Sequence, residues 1–364
     1  MKFCFVLLLI ASVVASVFAQ TAAERDPRTS QLATLQVPNL LVPRTDSTAI
    51  GTSNPAANAN LSASKEPRPS AVQSVQTFLR AGVASLNARR YKDALASFQA
   101  AEQVAPNSSV VHTWLGYTYL GLGEYENSIK AYDRAVTLGA TSSATRRSLG
   151  IAFLSLKNPQ QAIVPLQEAT RLEPENAINH YLLAVAYGSV DRFDDAVDQF
   201  RRSLAIDRNS YHAYFELASI YANQSRFEEA SGLLKEAIRL KPDSEEAHLA
   251  LANTLSSSGK YKDAIPNYDS AIRLDPQNPI ARNNLGVAYM LMGKNKEGLA
   301  ALKFAATLNP NLGQIRANLA RAYLRVRNKD AALTEYTALQ TIDPALAEII
   351  HDEMFQSRIL KVRY

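Results

Sequence analysis

The chain has 364 residues, 47% of them apolar, enough to bury a large core, and its 39 Lys and Arg against 34 Asp and Glu give a net charge of +5. Those charges are spread along the sequence without a dense basic run. That argues against nucleic acid as a partner, since nucleic-acid binders gather Lys and Arg on one face.

Lys2 opens the chain with a short positive segment, Phe3 to Phe18 is almost wholly apolar, and Val17-Phe18-Ala19 precedes Gln20 with small residues at the minus-three and minus-one positions. This pattern predicts a secretory signal peptide over 1–19. Its apolar run is shorter than the ~20 residues of a spanning helix. The alternative is an uncleaved segment that anchors the chain to a membrane. Cleavage would remove Cys4, the one cysteine, and so exclude disulfides, thiolate catalysis and cysteine-bound metal. The expected location is periplasmic or extracellular. Residues 20–72 follow, rich in Ala, Ser, Thr and Asn and punctuated by Pro27, Pro38, Pro43, Pro55, Pro67 and Pro69. Such a stretch buries too little apolar surface to offset its ordering entropy, and it predicts a disordered linker.

Beyond it the sequence becomes periodic with a step of 34 residues. One column reads Pro106, Ala140, Pro174, Arg208, Pro242, Pro276, Pro310, Pro344. A small-residue column reads Gly82, Gly116, Gly150, Ala184, Ala218, Ala252, Gly286, Ala320, beside a leucine column from Leu115 to Leu319. On the partner segment, Phe98, Tyr132, Leu166, Phe200, Leu234, Tyr268, Leu302 and Tyr336 form a column of large residues. Small residues let helix axes approach closely and large ones fill the space beside them. Gly123, Gly259 and Gly293 mark where a first helix ends. Asp93, Asp195, Glu229, Asp263 and Glu297 open the second helix, where carboxylates meet the positive end of the helix dipole. The residue before each proline is pushed off the helical region, which ends the second helix.

Eight such periods without an insertion or deletion resemble the tetratricopeptide repeat family. The resemblance implies an all-α, right-handed solenoid with repeats at 75–108, 109–142, 143–176, 177–210, 211–244, 245–278, 279–312 and 313–346. The repeats at 109–142 and 279–312 match best; the first departs most, with Ala81 and Ser85 where Leu and Tyr are expected. Residues 347–364 alternate Ile349, Ile350, Met354 and Leu360 with Glu348, Asp352, Glu353 and Arg358, and predict an amphipathic helix that caps the last face.

No residue constellation points to catalysis or to a cofactor. His112, His180 and His248 share a column two repeats apart, which at ~8–10 Å per helix is too far for one metal ion; packing is the expected role. The adjacent pairs Asp194-Asp195, Glu228-Glu229 and Glu245-Glu246 point in different directions on a helix. The family resemblance implies instead that first helices line a groove for partner protein segments. Projected here, the groove residues are Tyr117, Ile151, Tyr181, Val185 and Phe215, followed by Asn253, Asn284, Asn318 and Arg321. The cations of the family's known carboxylate clamp are replaced by Leu249, Gln314 and Asn318, so that clamp is not expected. Alanine at Tyr181 or Phe215 is expected to spare the fold, and alanine at Leu183 or Leu217 to damage it. The function expected is a non-enzymatic scaffold of the envelope or secreted space, with an accessory module of a polysaccharide-handling or glycosyl-transfer machine as the alternative. The sequence leaves the oligomeric state open.

Overall fold

The computed structural model describes residues 71–359, and every regular element among them is an α-helix. The expected signal segment and all but the end of the expected linker lie outside the described residues. Two compact units divide the described chain, one ending at Asp207 and the other starting at Arg208. The first holds α1 (Ala71–Asn87), α2 (Tyr91–Val104), α3 (Ser109–Leu122), α4 (Tyr125–Thr137), α5 (Ser143–Ser155), α6 (Pro159–Leu172), α7 (Ala177–Gly188) and α8 (Phe193–Ile206). The second holds α9 (Tyr211–Asn223), α10 (Phe227–Leu240), α11 (Glu245–Ser257), α12 (Tyr261–Leu274), α13 (Pro279–Leu291), α14 (Asn295–Leu308), α15 (Gly313–Arg325), α16 (Lys329–Ile342) and α17 (Pro344–Ile359). Within each unit, odd- and even-numbered helices pair as hairpins, and each hairpin packs on the next.

Local chemistry sets the helix ends. Before α3, α5, α7, α9, α11 and α13 stands Ser108, Ser142, Asn176, Ser210, Ser244 or Asn278, whose side-chain oxygen accepts a backbone N–H of the first turn. Such a cap satisfies one of the donors a helix start leaves unpaired. The hairpin turns share one backbone solution. Gly123, Gly259 and Gly293 sit at φ 77–79°, and the same column continues through Arg89, Lys157, Asp191, Ser225 and Arg327 at φ 57–62°. Left-handed backbone is thus required at all eight turns, though glycine supplies it at three. Second helices end with φ between −124° and −150° at Ala105, Glu173, Asp207, Lys241, Asp275, Asn309 and Asp343, which takes the chain off the helical region. The helix before Ala140 ends differently, through Gly139 at φ 92°.

The small-residue and large-residue columns meet. A Cβ added to Gly82 would come within 2.4 Å of the Phe98 ring, one on Gly116 within 2.8 Å of Tyr132, and one on Gly286 within 2.7 Å of Leu302. Glycine therefore sets the axis separation in these hairpins, and the leucine column from Leu115 to Leu319 is buried between neighbours. The last helix starts at Pro344, three residues ahead of the expected boundary. Proline suits the first helical position, and Asp343 Oδ1 accepts the Leu346 N–H at 3.0 Å. Ala347 and Ile350 of α17 bury against Ala317, Ala320 and Leu339. No described helix is long and apolar enough to cross a membrane.

Candidate functional site

Among α3, α5 and α7 of the first unit, and among α9, α11, α13 and α15 of the second, successive first helices touch one another, so the projected groove residues of each unit stand on neighbouring helices. Those residues divide between the two units.

In the first unit Tyr117, Ile151 and Tyr181 are buried and Val185 is half-buried. Tyr181 lies edge-on to Phe200 at 5.8 Å between ring centroids, and Tyr117 edge-on to Trp114 at 6.1 Å. Burial pushes the Tyr117 hydroxyl above its usual range. Tyr181, projected onto the groove, is buried at 7% exposure, close to the 3% of the core residue Leu183. Between these residues lies a polar cluster that the sequence reading missed. Asn179, fully buried, donates to Ser143 Oγ and to the Ala169 carbonyl, both at 2.9 Å. Its Oδ1 accepts from Arg147 Nη1 at 3.1 Å, and Glu173 lies 3.9 Å from that guanidinium.

In the second unit Phe215 is half-buried and stacked on Tyr211 at 5.9 Å. The three projected asparagines are brought together, and Asn283 joins them. Gln314 donates to Asn318 Oδ1 at 3.2 Å, Asn318 to Asn283 Oδ1 at 3.0 Å, Asn283 to Asn284 Oδ1 at 2.9 Å, and Asn284 to Asn253 Oδ1 at 3.0 Å. Tyr268 closes the ladder by donating to Asn253 Oδ1 at 2.9 Å; burial raises its pKa and keeps the proton in place. The amide oxygen of each of the four asparagines is therefore an acceptor already in use. What remains is N–H donor capacity, since each amide carries two donors. Asn253 is half-buried, whereas Asn283, Asn284 and Asn318 are buried. Arg321 is engaged as well: its Nε and Nη2 hold the Glu353 carboxylate of α17 at 2.9–3.1 Å.

The histidine column has a common task. Nε2 of His112, His180 and His248 meets the carbonyl of Pro106, Pro174 and Pro242, six residues back, at 2.8, 2.9 and 3.0 Å. A carbonyl only accepts, so Nε2 carries the proton. Arg282 and Arg316 do the same to Pro276 and Pro310. Where Ala140 replaces the proline, Arg146 Nε is buried without an acceptor. Among the described residues no group of three or more His, Cys, Asp or Glu is placed to hold a metal ion.

The family model described as the cilia and flagella-associated protein 70 C-terminal domain, a tetratricopeptide model, matches residues 11–279, and the tetratricopeptide repeat model matches 249–311. The chain belongs to the tetratricopeptide repeat family. Tetratricopeptide folds are typical of protein–protein interaction scaffolds and are generally non-catalytic. No curated protein matches this tetratricopeptide chain. Among solved structures, the C-terminal part of a repeat protein from Cytophaga hutchinsonii is 13% identical with a TM-score of 0.56, covering 64% of this chain and 96% of that one. PilF of Pseudomonas aeruginosa is 20% identical with a TM-score of 0.49, covering 58% of this chain and 97% of that one. YrrB, described as having an unusual peptide-binding site, is 21% identical with a TM-score of 0.45, covering 51% of this chain and 97% of that one. These similarities bear on the fold alone.

Proposed function

We propose that this chain is a non-enzymatic scaffold that captures partner protein segments on its first helices and works outside the cytoplasm, in the envelope or the secreted space. The asparagine ladder of the second unit supports this reading most directly. The Asn253 oxygen is engaged by Tyr268 and Asn284, so this half-buried side chain offers N–H donors, and a peptide backbone supplies carbonyl acceptors for them. Phe215 is the apolar anchor on the same row of helices, and Val185 is the corresponding contact of the first unit. One or two anchors at about 1.5–3 kcal/mol each, less ordering costs, correspond to weak, reversible capture. The export half of the reading rests on the sequence pattern of residues 1–19.

The test is capture of partners from the host's extracellular or envelope fraction by the intact chain, by Phe215→Ala with Asn253→Leu, and by Leu333→Ala. Leu333 is exposed on α16, a second helix. A partner lost with the first variant and retained with the second supports the reading; a partner retained by both sinks it. N-terminal sequencing of the exported protein tests location. A start at Gln20 supports the signal assignment, and a start at Met1 in the membrane fraction overturns it.

A further inference from the structure

The asparagine ladder does not end at Asn318. Gln314, Asn318 and Arg321 stand four and three residues apart on α15, which puts them on one helical stripe. Arg321 also occupies the repeat column of Asn253. The stripe thus runs from two amides, each already donating to a neighbour, to a cation. Glu353 of α17 fills the cationic end. The Arg321 and Glu353 side chains are 9% and 18% exposed, and the carboxylate takes the Nε and Nη2 donors. Nη1 of the same guanidinium is buried and has no partner. A buried charged group with an unmet donor is costly, and Glu353 leaves this one unmet. The rest of the hold on α17 is apolar: Ala347 and Ile350 are buried with Leu346 and Met354 packed beside them, while Ile349 on the same helix is 47% exposed.

We infer that the partner segment of the second unit carries a carboxylate that binds Arg321, and that α17 occupies this position in the free chain through Glu353, so that partner and α17 exclude one another. The inference rests on the first helices being a capture surface. An Asp or Glu side chain of a partner would satisfy Arg321 as Glu353 does, with its backbone carbonyl available to Nη1. Glu353 is then a resident competitor that lowers the apparent affinity for acidic segments until α17 is displaced.

The experiment uses the full chain and, as probe, a fluorescein-labelled peptide of Asp343–Ile359, the one acidic segment known to fit. If α17 is seated more than nine-tenths of the time, Glu353→Gln in the chain raises peptide affinity about tenfold or more. The gain disappears in the Glu353→Gln, Arg321→Gln double variant, and it disappears when the peptide itself carries Glu353→Gln. An affinity that does not rise, or that survives loss of Arg321, overturns the inference. Hydrogen exchange gives a second readout that needs no variant. Saturating unlabelled peptide should speed exchange at residues 344–354 of the intact chain while α13–α16 stay protected. Unchanged protection of α17 overturns competition, and loss of protection throughout the unit assigns the ion pair to structure alone. Capture through Phe215 and Asn253 is read on other variants, so its failure is separable from this one.

Discussion

The amide nitrogen of Asn318 on α15 donates to the amide oxygen of Asn283 on α13, one repeat away, across 3.0 Å. Asn283 is the middle rung, because it passes its own donor on to Asn284. Asn283→Ala leaves a buried donor on Asn318 and a buried acceptor on Asn284 unpaired. Urea unfolding is expected to show a loss of about 1–3 kcal/mol. Asn253→Ala, at the half-exposed end where water can substitute, should cost clearly less. Equal losses would show that the rungs act independently.

The left-handed turn column makes a backbone prediction. An L side chain in that region costs about 1–2 kcal/mol, partly offset by the chain entropy that glycine loses on folding. Lys157→Gly should therefore stabilise by about 0.5–1 kcal/mol, and Gly123→Ala should destabilise by a similar amount. Neither position packs against the core through its side chain: Lys157 is exposed, and nothing lies within 4 Å of a Cβ built on Gly123. Thermal melts of the two variants in opposite directions would confirm the strain.

Tyr181 and Phe215 share a repeat column but not an environment. Tyr181→Ala empties a site closed by Phe200 and should cost about 3–5 kcal/mol, comparable with Leu183→Ala. Phe215→Ala should cost less than half of that, since Phe215 is half-exposed and stacks only on its neighbour Tyr211. Paired melting curves settle the order. A mild Tyr181 variant would mean that the Tyr181–Phe200 contact contributes little.

His212 gives a pH dependence. Burial, and then the nearby Lys241, hold its pKa below the ordinary 6.5, against a smaller opposing pull from Glu246. The unfolded chain consequently binds a proton that the folded chain resists. Stability is fully present above about pH 6.5 and is lost as pH falls through the depressed folded value. His212→Gln should flatten the stability profile between pH 7 and pH 5. A slope that persists would assign the effect to another group.

The fold was legible because the periodic columns carry their own physics. Gly116 faces Tyr132 and Gly286 faces Leu302 because only those sizes close the hairpin, and both members of each pair recur every 34 residues in the sequence. The serine and asparagine caps from Ser108 to Asn278 form an equally regular column that went unread, although a capping residue before each apolar stretch was there to find. The groove was harder. A column fixes helical phase, but depth depends on the side chain contributed by the partner helix, and so Tyr181 is enclosed where Phe215 is not. Arg147, Asn179 and Glu353 escaped because each works through a residue far away in sequence: Arg147 through Asn179, Asn179 through Ser143, and Glu353 through Arg321. Nothing in any one repeat announces such pairs.

The ties from His112, His180, His248, Arg282 and Arg316 to the carbonyls six residues behind them fix the length of the connections they span. A foreign loop or epitope spliced between Pro174 and His180 would sever such a tie and leave a buried imidazole without its acceptor. The connections beginning at Ala140 and Arg208, where the proline is missing, have no such tie among the described residues. The connection at Ala140 is the natural port for grafted sequence: a tag or a fluorophore entering there lengthens the chain without cutting a tie of this kind.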